Sequence, residues 1–144
     1  MGLPSLPSYE QLKTTHRQCI ACGQPAGEQK GLELVFRSFD EGVVRATFYA
    51  SESHQGYQGL MHGGLVATLL DAAMTHCLFY AGVKALTAEL QVRYLSPVVL
   101  PVELTVEARR TKQRRGIHWL EAKVYGADVT YANASAKFVS VAGM

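Results

Sequence analysis

The chain has 144 residues, 48% of them hydrophobic, and a formal net charge of +2 at pH 7. This is the length of one domain with a sizeable core. A charge so close to neutral excludes a strong overall pull toward nucleic acid or an anionic membrane. Three cysteines make no complete set of intramolecular disulfides, and the N-terminus lacks a basic stretch followed by an apolar one, so a reducing, cytoplasmic location is expected. Asp71, Thr75 and His76 interrupt the longest apolar stretch before it reaches the roughly 18–20 residues of a membrane span, so no membrane partner is expected.

Residues 1–30 read as a lead-in to a main domain over 31–144. Pro4 and Pro7 interrupt it, Ser8 is placed to cap a short helix, and Tyr9 to Gln18 is polar enough for a surface. Gly23 to Gly31 is a predicted loop containing Cys19-x-x-Cys22 at its edge. Leu32, Leu34 and Phe36 alternate with Glu33 and Arg37, the period of a half-buried strand. Asp40-Glu41-Gly42 is turn chemistry, and Val43 to Ala50 reads as the return strand. A glycine-rich loop over 53–64 leads into a helix from about Gly64 to Ala81.

Beyond Gly82 the pattern is β to the end. Leu86, Ala88, Leu90, Val92 and Tyr94 alternate with Thr87, Glu89, Gln91 and Arg93. Pro97 and Pro101 bracket a connection, and Val102, Leu104 and Val106 alternate with Glu103, Thr105 and Glu107. Arg109 to Gly116 reads as a basic turn, His118 to Tyr125 as a strand, Gly126-Ala127-Asp128 as a turn, and Val129 to Val141 as a last strand. Ala132, Ala134 and Ala136 on one face of that strand would let a helix lie close. The order ββ-α-ββββ with short connections predicts an α+β fold, one curved antiparallel sheet of about six strands wrapped around one long central helix. The helix is apolar nearly all round, so both its sides must be covered. The sheet covers one, and a second subunit is the expected cover for part of the other.

Thr68, Asp71 and Thr75 fall at i, i+3 and i+7, a narrow polar seam in an apolar rod. A buried carboxylate without a partner is costly. The plain alternative is an Asp satisfied by backbone or by Thr75. The loop ending His62-Gly63-Gly64 offers two peptide N–H groups at the helix start, where a developing negative charge is favoured. Carboxylate and oxyanion site together suggest acyl transfer or hydrolysis. Gly63 and Asp71 lie eight residues apart, about 12 Å along a helix axis, too far to serve one carbonyl carbon. Two chains with antiparallel helices about a two-fold axis bring the Gly63 N–H of one to Asp71 of the other, twice per dimer.

The ordered set Gly59-x-x-His62-Gly63-Gly64, Asp71 nine residues after His62, and a strand ending Tyr94-Leu95-Ser96-Pro97 resembles the hotdog-fold acyl-CoA thioesterases, in their PaaI-like branch, across roughly residues 32–141. Cys19-x-x-Cys22-Gly23 followed by Gly31-Leu32 also looks like the start of many relatives. The resemblance implies a hotdog fold, hydrolysis of an acyl- or aryl-acyl-CoA thioester to free acid and CoA, and no cofactor. It also implies homodimers, often paired into tetramers, with substrate between subunits. It implies Asp71 as nucleophile or general base, Gly63 as the residue whose N–H polarises the thioester carbonyl, and His62 as the positioning loop histidine. Gly64 completes that loop, Thr75 matches a threonine near the attacking water, and Thr87 matches a serine or threonine of other relatives. Alternation, however, places Thr87 with Glu89, Gln91 and Arg93, away from the apolar face. Many relatives carry Asn or Gln six residues before the histidine; here that position is Gly56, leaving Gln55 or Gln58 to supply the amide.

Arg109, Arg110, Lys112, Arg114 and Arg115 read either as a dock for the coenzyme A phosphates or as a solvated hairpin tip. The run is short and lacks interleaved aromatics, so no nucleic-acid partner is expected. Cys19 and Cys22 with His16 have zinc-like spacing, yet no second Cys pair follows, so no metal is expected and the pair is assigned to loop packing. Cys77 reads as core, and His76 and His118 as ordinary side chains. The alternative function is a non-catalytic acyl-CoA binding or sensing protein on the same fold; Asp71 favours the enzyme.

Overall fold

The computed structural model describes residues 5–26 and 30–142. Pro4 and the middle of the predicted 23–31 loop, residues 27–29, lie outside the described residues. Helix α1 (Tyr9–Thr14) starts at Ser8 as predicted, through a reciprocal cap: Ser8 Oγ accepts from the Gln11 N–H at 3.1 Å, and Gln11 Oε1 accepts from the Ser8 N–H at 2.8 Å. The sheet comprises β1 (Arg37–Ser38), β2 (Val44–Ala50), β3 (Ala85–Tyr94), β4 (Val102–Arg114), β5 (Ile117–Tyr125) and β6 (Thr130–Ser140). Its order is β1-β2-β4-β5-β6-β3, antiparallel at every step, and the central helix α2 (Gly63–Tyr80) lies across one face.

Two predicted elements differ. Residues 32–36 are not a strand. Their alternation is real, since Leu34 and Phe36 are buried, but the Leu32 and Leu34 N–H groups donate to the carbonyls of Ile20 and Ala21 at 2.7 and 2.9 Å. The segment is held by the lead-in, and sheet pairing begins only at Arg37. Nor is 109–116 a turn. Strand β4 continues to Arg114 with a bulge after Arg110, and the reversal is confined to Arg115 and Gly116, at φ 48° and 78°. The basic side chains fit a strand because each finds a cross-strand neighbour. Arg109 pairs with Glu121 at 3.3 Å, and the Lys112 ammonium lies 4.8 Å from the Trp119 ring centre.

The core forms where α2 meets the sheet. Leu69, Leu70, Ala73 and Met74 pack with Leu104, Val106, Leu120 and Phe138, while Ala132, Ala134 and Ala136 supply the flat floor expected of them. With eighteen residues, α2 has the length of a membrane span, but it is the core helix of this domain. Part of its far side is covered from within the chain. Ala21 and Cys22 of the lead-in, and Leu34 and Phe36 just after it, belong to the same core, and the Tyr9 ring stacks on Tyr80 at 3.7 Å. Beneath them His76 is fully buried: its Nδ1 shares a 2.6 Å hydrogen bond with the Tyr9 hydroxyl, and its Nε2 has no partner among the described residues. Read from sequence as ordinary, it is a neutral imidazole in an aromatic box with Phe36 and Phe79.

Phe36→Ala is expected to cost about 3–5 kcal/mol in urea unfolding, as for any large core residue; a value near zero would show that the aromatic cover over His76 adds nothing to stability. Burial pushes His76 down to about 3. Unfolded histidine titrates near 6.5, so between about pH 6.5 and 3 the unfolded chain takes up a proton that the folded chain refuses. Stability therefore falls as pH drops through that window and is insensitive to His76 above it. His76→Gln is expected to flatten the slope of unfolding free energy against pH by up to about 1.4 kcal/mol per unit there.

Candidate active site

The loop before α2 is a tight hairpin of backbone bonds. Gly56 N–H donates to the Leu60 carbonyl at 3.0 Å, Met61 N–H to Val98 at 2.9 Å and His62 N–H to His54 at 2.9 Å. Gly59 at φ 80° makes the bend that glycine alone adopts freely. His62 then caps the helix, its Nδ1 accepting from the Gly64 N–H at 2.8 Å. Two glycines shape its niche. A Cβ at Gly64 would stand 2.9 Å from His62 Cε1, and a Cβ at Gly56 would stand 3.2 Å from His62 Cα. The place where relatives carry an amide side chain is thus filled by the histidine itself.

Gln55 Oε1 is spent on the Gly59 N–H at 3.1 Å, bracing the loop, and Gln58 is exposed. The pair of oxyanion donors expected at the helix start also reduces to one. The Gly64 N–H belongs to His62, whereas the Gly63 N–H meets no acceptor among the described residues. The Gly63 carbonyl accepts from the Tyr94 hydroxyl at 2.7 Å, which fixes the helix start against the end of β3. Beside it opens a cavity of about 300 Å³ lined by Met61, Gly63, Val66, Tyr94, Ser96 and Tyr131.

Two turns along the helix, Asp71 is half-buried, less enclosed than an apolar rod suggested. Its Oδ1 accepts from Thr87 Oγ1 at 2.6 Å. The plain alternative, bonding to Thr75, does not hold: Thr75 and Thr68 donate to the backbone carbonyls of Asp71 and Gly64, at 3.0 and 2.9 Å. Thr87 was placed by alternation on the wrong face. The pairing of β3 with β6 slips between Thr87 and Glu89, so Ala88 is an extra residue. On one side of the slip Thr87 opposes buried Phe138; on the other Leu90 and Val92 oppose Ala136 and Ala134. All three therefore face the helix, and one inserted residue returns Thr87 to Asp71. A sequence signal exists only in part: Thr87-Ala88-Glu89 carries no glycine to mark the bulge.

The charge of Asp71 also reaches His16 of the lead-in, where it opposes the lowering that burial imposes on that imidazole. The basic residues are dispersed. Arg110 Nη1 lies 3.3 Å from His118 Nδ1, Arg109 is held by Glu121, and Arg114 and Arg115 are exposed at the hairpin end. Only Gln113 of that end shares the helix side of the sheet with Asp71: Thr87, Phe138, His118 and Gln113 form one row across four strands, and Arg114 turns to the other side by alternation. Arg114 follows directly, three strands or roughly 14 Å from Thr87. A larger hollow of about 610 Å³ lies over the outer, polar face of the sheet, among Gln91, Arg93, Glu107, Arg109 and Glu121, and includes none of these helix residues.

A long helix opened by His-Gly-Gly, carrying a carboxylate two turns in and wrapped by a six-stranded antiparallel sheet, is the hotdog architecture with a polar site on its helix. The chain belongs to the thioesterase superfamily, whose family pattern matches residues 58–132, just over half of it. It is similar to acyl-coenzyme A thioesterase THEM4 of Bos taurus, 27% identical over 110 residues, covering 75% of this chain and 45% of that one. The chain spans about half the length of the curated relatives it matches first. Its fold matches smu.793 from Streptococcus mutans bound to acetyl CoA, with TM-score 0.72, 21% identity, and 81% and 94% of the two chains covered. It equally matches the PaaI protein of the E. coli phenylacetic acid degradation operon, with TM-score 0.72, 21% identity, and 78% and 82% covered.

Gly64→Ala is expected to push the His62 ring off the helix start and to cost about 1 kcal/mol in urea unfolding. Gln58→Ala, on the exposed tip, should stay within about 0.5 kcal/mol of the parent.

Proposed function

We propose that this protein is an acyl-CoA thioesterase of the PaaI-like branch, acting in the cytoplasm as a homodimer or dimer of dimers. The observation that carries the reading is the Asp71–Thr87 pair: an accessible carboxylate held by one hydroxyl on one oxygen, with the other oxygen left for chemistry. Superfamily membership and the relatives named as acyl-CoA thioesterases support the reaction. The S. mutans structure with acetyl CoA supports the substrate class. The three cysteines are free thiols, in keeping with a reducing compartment.

The site is completed by a second copy. Gly63 and Asp71 sit at positions one and nine of α2, about 12 Å apart along its axis. Strand β3 pairs on one side only and exposes Leu86, Leu90 and Tyr94, an open edge suited to the same edge of another subunit. In this arrangement the thioester carbonyl accepts from the N–H of Gly63 of the partner subunit. Asp71 either attacks the carbonyl carbon itself or takes a proton from an attacking water. In the water route the tetrahedral oxyanion collapses, the C–S bond breaks, and the proton passes from Asp71 to the leaving thiolate. Thr75 Oγ1, its proton committed to the Asp71 carbonyl, acts there only as an acceptor for the water. Arg114 and Arg115 hold the coenzyme A phosphates at the mouth.

Release of free thiol from a panel of acyl- and aryl-acyl-CoAs, read with a thiol dye, tests the reaction. Asp71→Asn is expected to lower kcat by about 10²–10⁴-fold while calorimetric binding of the acyl-CoA stays near the parent value. Turnover equal to the parent overturns the assignment. Binding without thiol release by the parent identifies a sensor instead. A species that sediments as a single subunit and still hydrolyses overturns the shared site.

A further inference from the structure

The lead-in carries a second constellation, separate from the helix site. His16, Cys19 and Cys22 each offer a ligand atom, and these three atoms lie within 4.8 Å of one another. Cys22 Sγ is 3.5 Å from His16 Nδ1. Ligand bonds of about 2.3 Å to sulfur and 2.0–2.1 Å to nitrogen in a tetrahedron put sulfur and nitrogen roughly 3.5 Å apart. That pair already stands at the spacing of a filled site, and Cys19 Sγ lies within 4.8 Å of both.

The backbone builds this triangle deliberately. Cys19 N–H donates to the His16 carbonyl at 2.9 Å, Gly23 N–H to Cys19 at 2.8 Å and Gln24 N–H to Arg17 at 2.7 Å, so residues 16–24 close on themselves. Gly23 is obligatory there, because a Cβ would stand 2.3 Å from the His16 carbonyl oxygen. The Ala21 N–H points at Cys19 Sγ at 3.3 Å, the bond that offsets negative charge on a coordinating thiolate. The outgoing chain locks the loop from outside through the Leu32 and Leu34 bonds to Ile20 and Ala21.

We propose that His16, Cys19 and Cys22 bind one zinc ion per chain. Two thiolates and a neutral imidazole balance the charge of the ion, and binding displaces the two thiol protons. No fourth His, Cys or carboxylate among the described residues completes the set at that distance. The fourth position therefore takes water from the adjoining cavity of about 560 Å³, which His16 and Cys22 line together with Glu10, Lys13, Arg17 and Glu33. The ion ties the lead-in to the core helix, since Cys22 is a core residue and the His16 ring sits edge-on to Phe79 at 5.0 Å.

The test uses the full-length untagged chain, stripped with chelator under reducing conditions and titrated with zinc or cobalt(II). One cobalt per chain is expected, with a sulfur-to-metal charge-transfer band in the near ultraviolet and intense tetrahedral bands in the visible. Saturating zinc is expected to raise the melting temperature by on the order of 5 °C. Cys19→Ser and His16→Ala, both at partly exposed positions, should each weaken binding about 10²-fold or more, while Cys77→Ser keeps the parent spectrum. The proposal is overturned by absence of the charge-transfer band, or by its persistence in Cys19→Ser. It is also overturned if only one of the three thiols reacts before reduction, which identifies a Cys19–Cys22 disulfide. None of these readouts depends on thioester hydrolysis.

Discussion

The hydrogen bond from Thr87 to Asp71, 2.6 Å long, joins the middle of the central helix to the outermost strand of the sheet. Everything around the site is arranged to permit it. The helix must carry a carboxylate among apolar neighbours, and the edge strand must present a hydroxyl inward, against its own alternation. The extra residue at Ala88 reconciles the two. A second tie, from Tyr94 to the Gly63 carbonyl, anchors the same strand to the start of the same helix. Strand β3 thus grips α2 at both ends of the site, and the Asp71 carboxylate and the free Gly63 amide are fixed by one element.

The rest of the helix is satisfied differently. Apolar all round, it needs cover on two sides. The sheet supplies one. The other comes from Tyr9, Ala21, Cys22, Leu34 and Phe36, which wrap back over His76 and Tyr80. This leaves β3 with its open edge as the apolar surface still offered to a second copy. The proposed interface lies on the strand that bears Thr87, so in that reading assembly and catalysis draw on the same few residues.

Much of this was legible in the chain. The period-2 runs and the long apolar run name β2, β3, β5, β6 and the helix within a residue or two, because each has one face against a continuous core. His62, Gly63 and Asp71 stood out because a polar group in an apolar setting demands a reason. Four features were not legible. The slip at Ala88 leaves no mark in composition, yet it inverts the face of Thr87. Leu32, Leu34 and Phe36 alternate as a strand would, but the Leu32 and Leu34 backbone is bonded to a loop twelve and thirteen residues upstream. The basic run reads as a turn because charge suggests solvent, whereas Glu121 and Trp119 on the neighbouring strand absorb Arg109 and Lys112. The second oxyanion donor was lost to His62, a competition that only coordinates reveal.

The niche of His62 has a consequence for how this scaffold can be altered. Glycine at 56 and glycine at 64 press on the same imidazole from either side, one by way of the loop and one by way of the helix. A side chain at position 56 would begin 3.3 Å from the imidazole Cδ2, so the ring has to give by a few tenths of an ångström, and one at position 64 would begin 2.9 Å from Cε1, where the ring has to move. A change at either glycine is thus felt by the histidine between them, whereas Met61, Val66 and Tyr131 border open space beside Gly63.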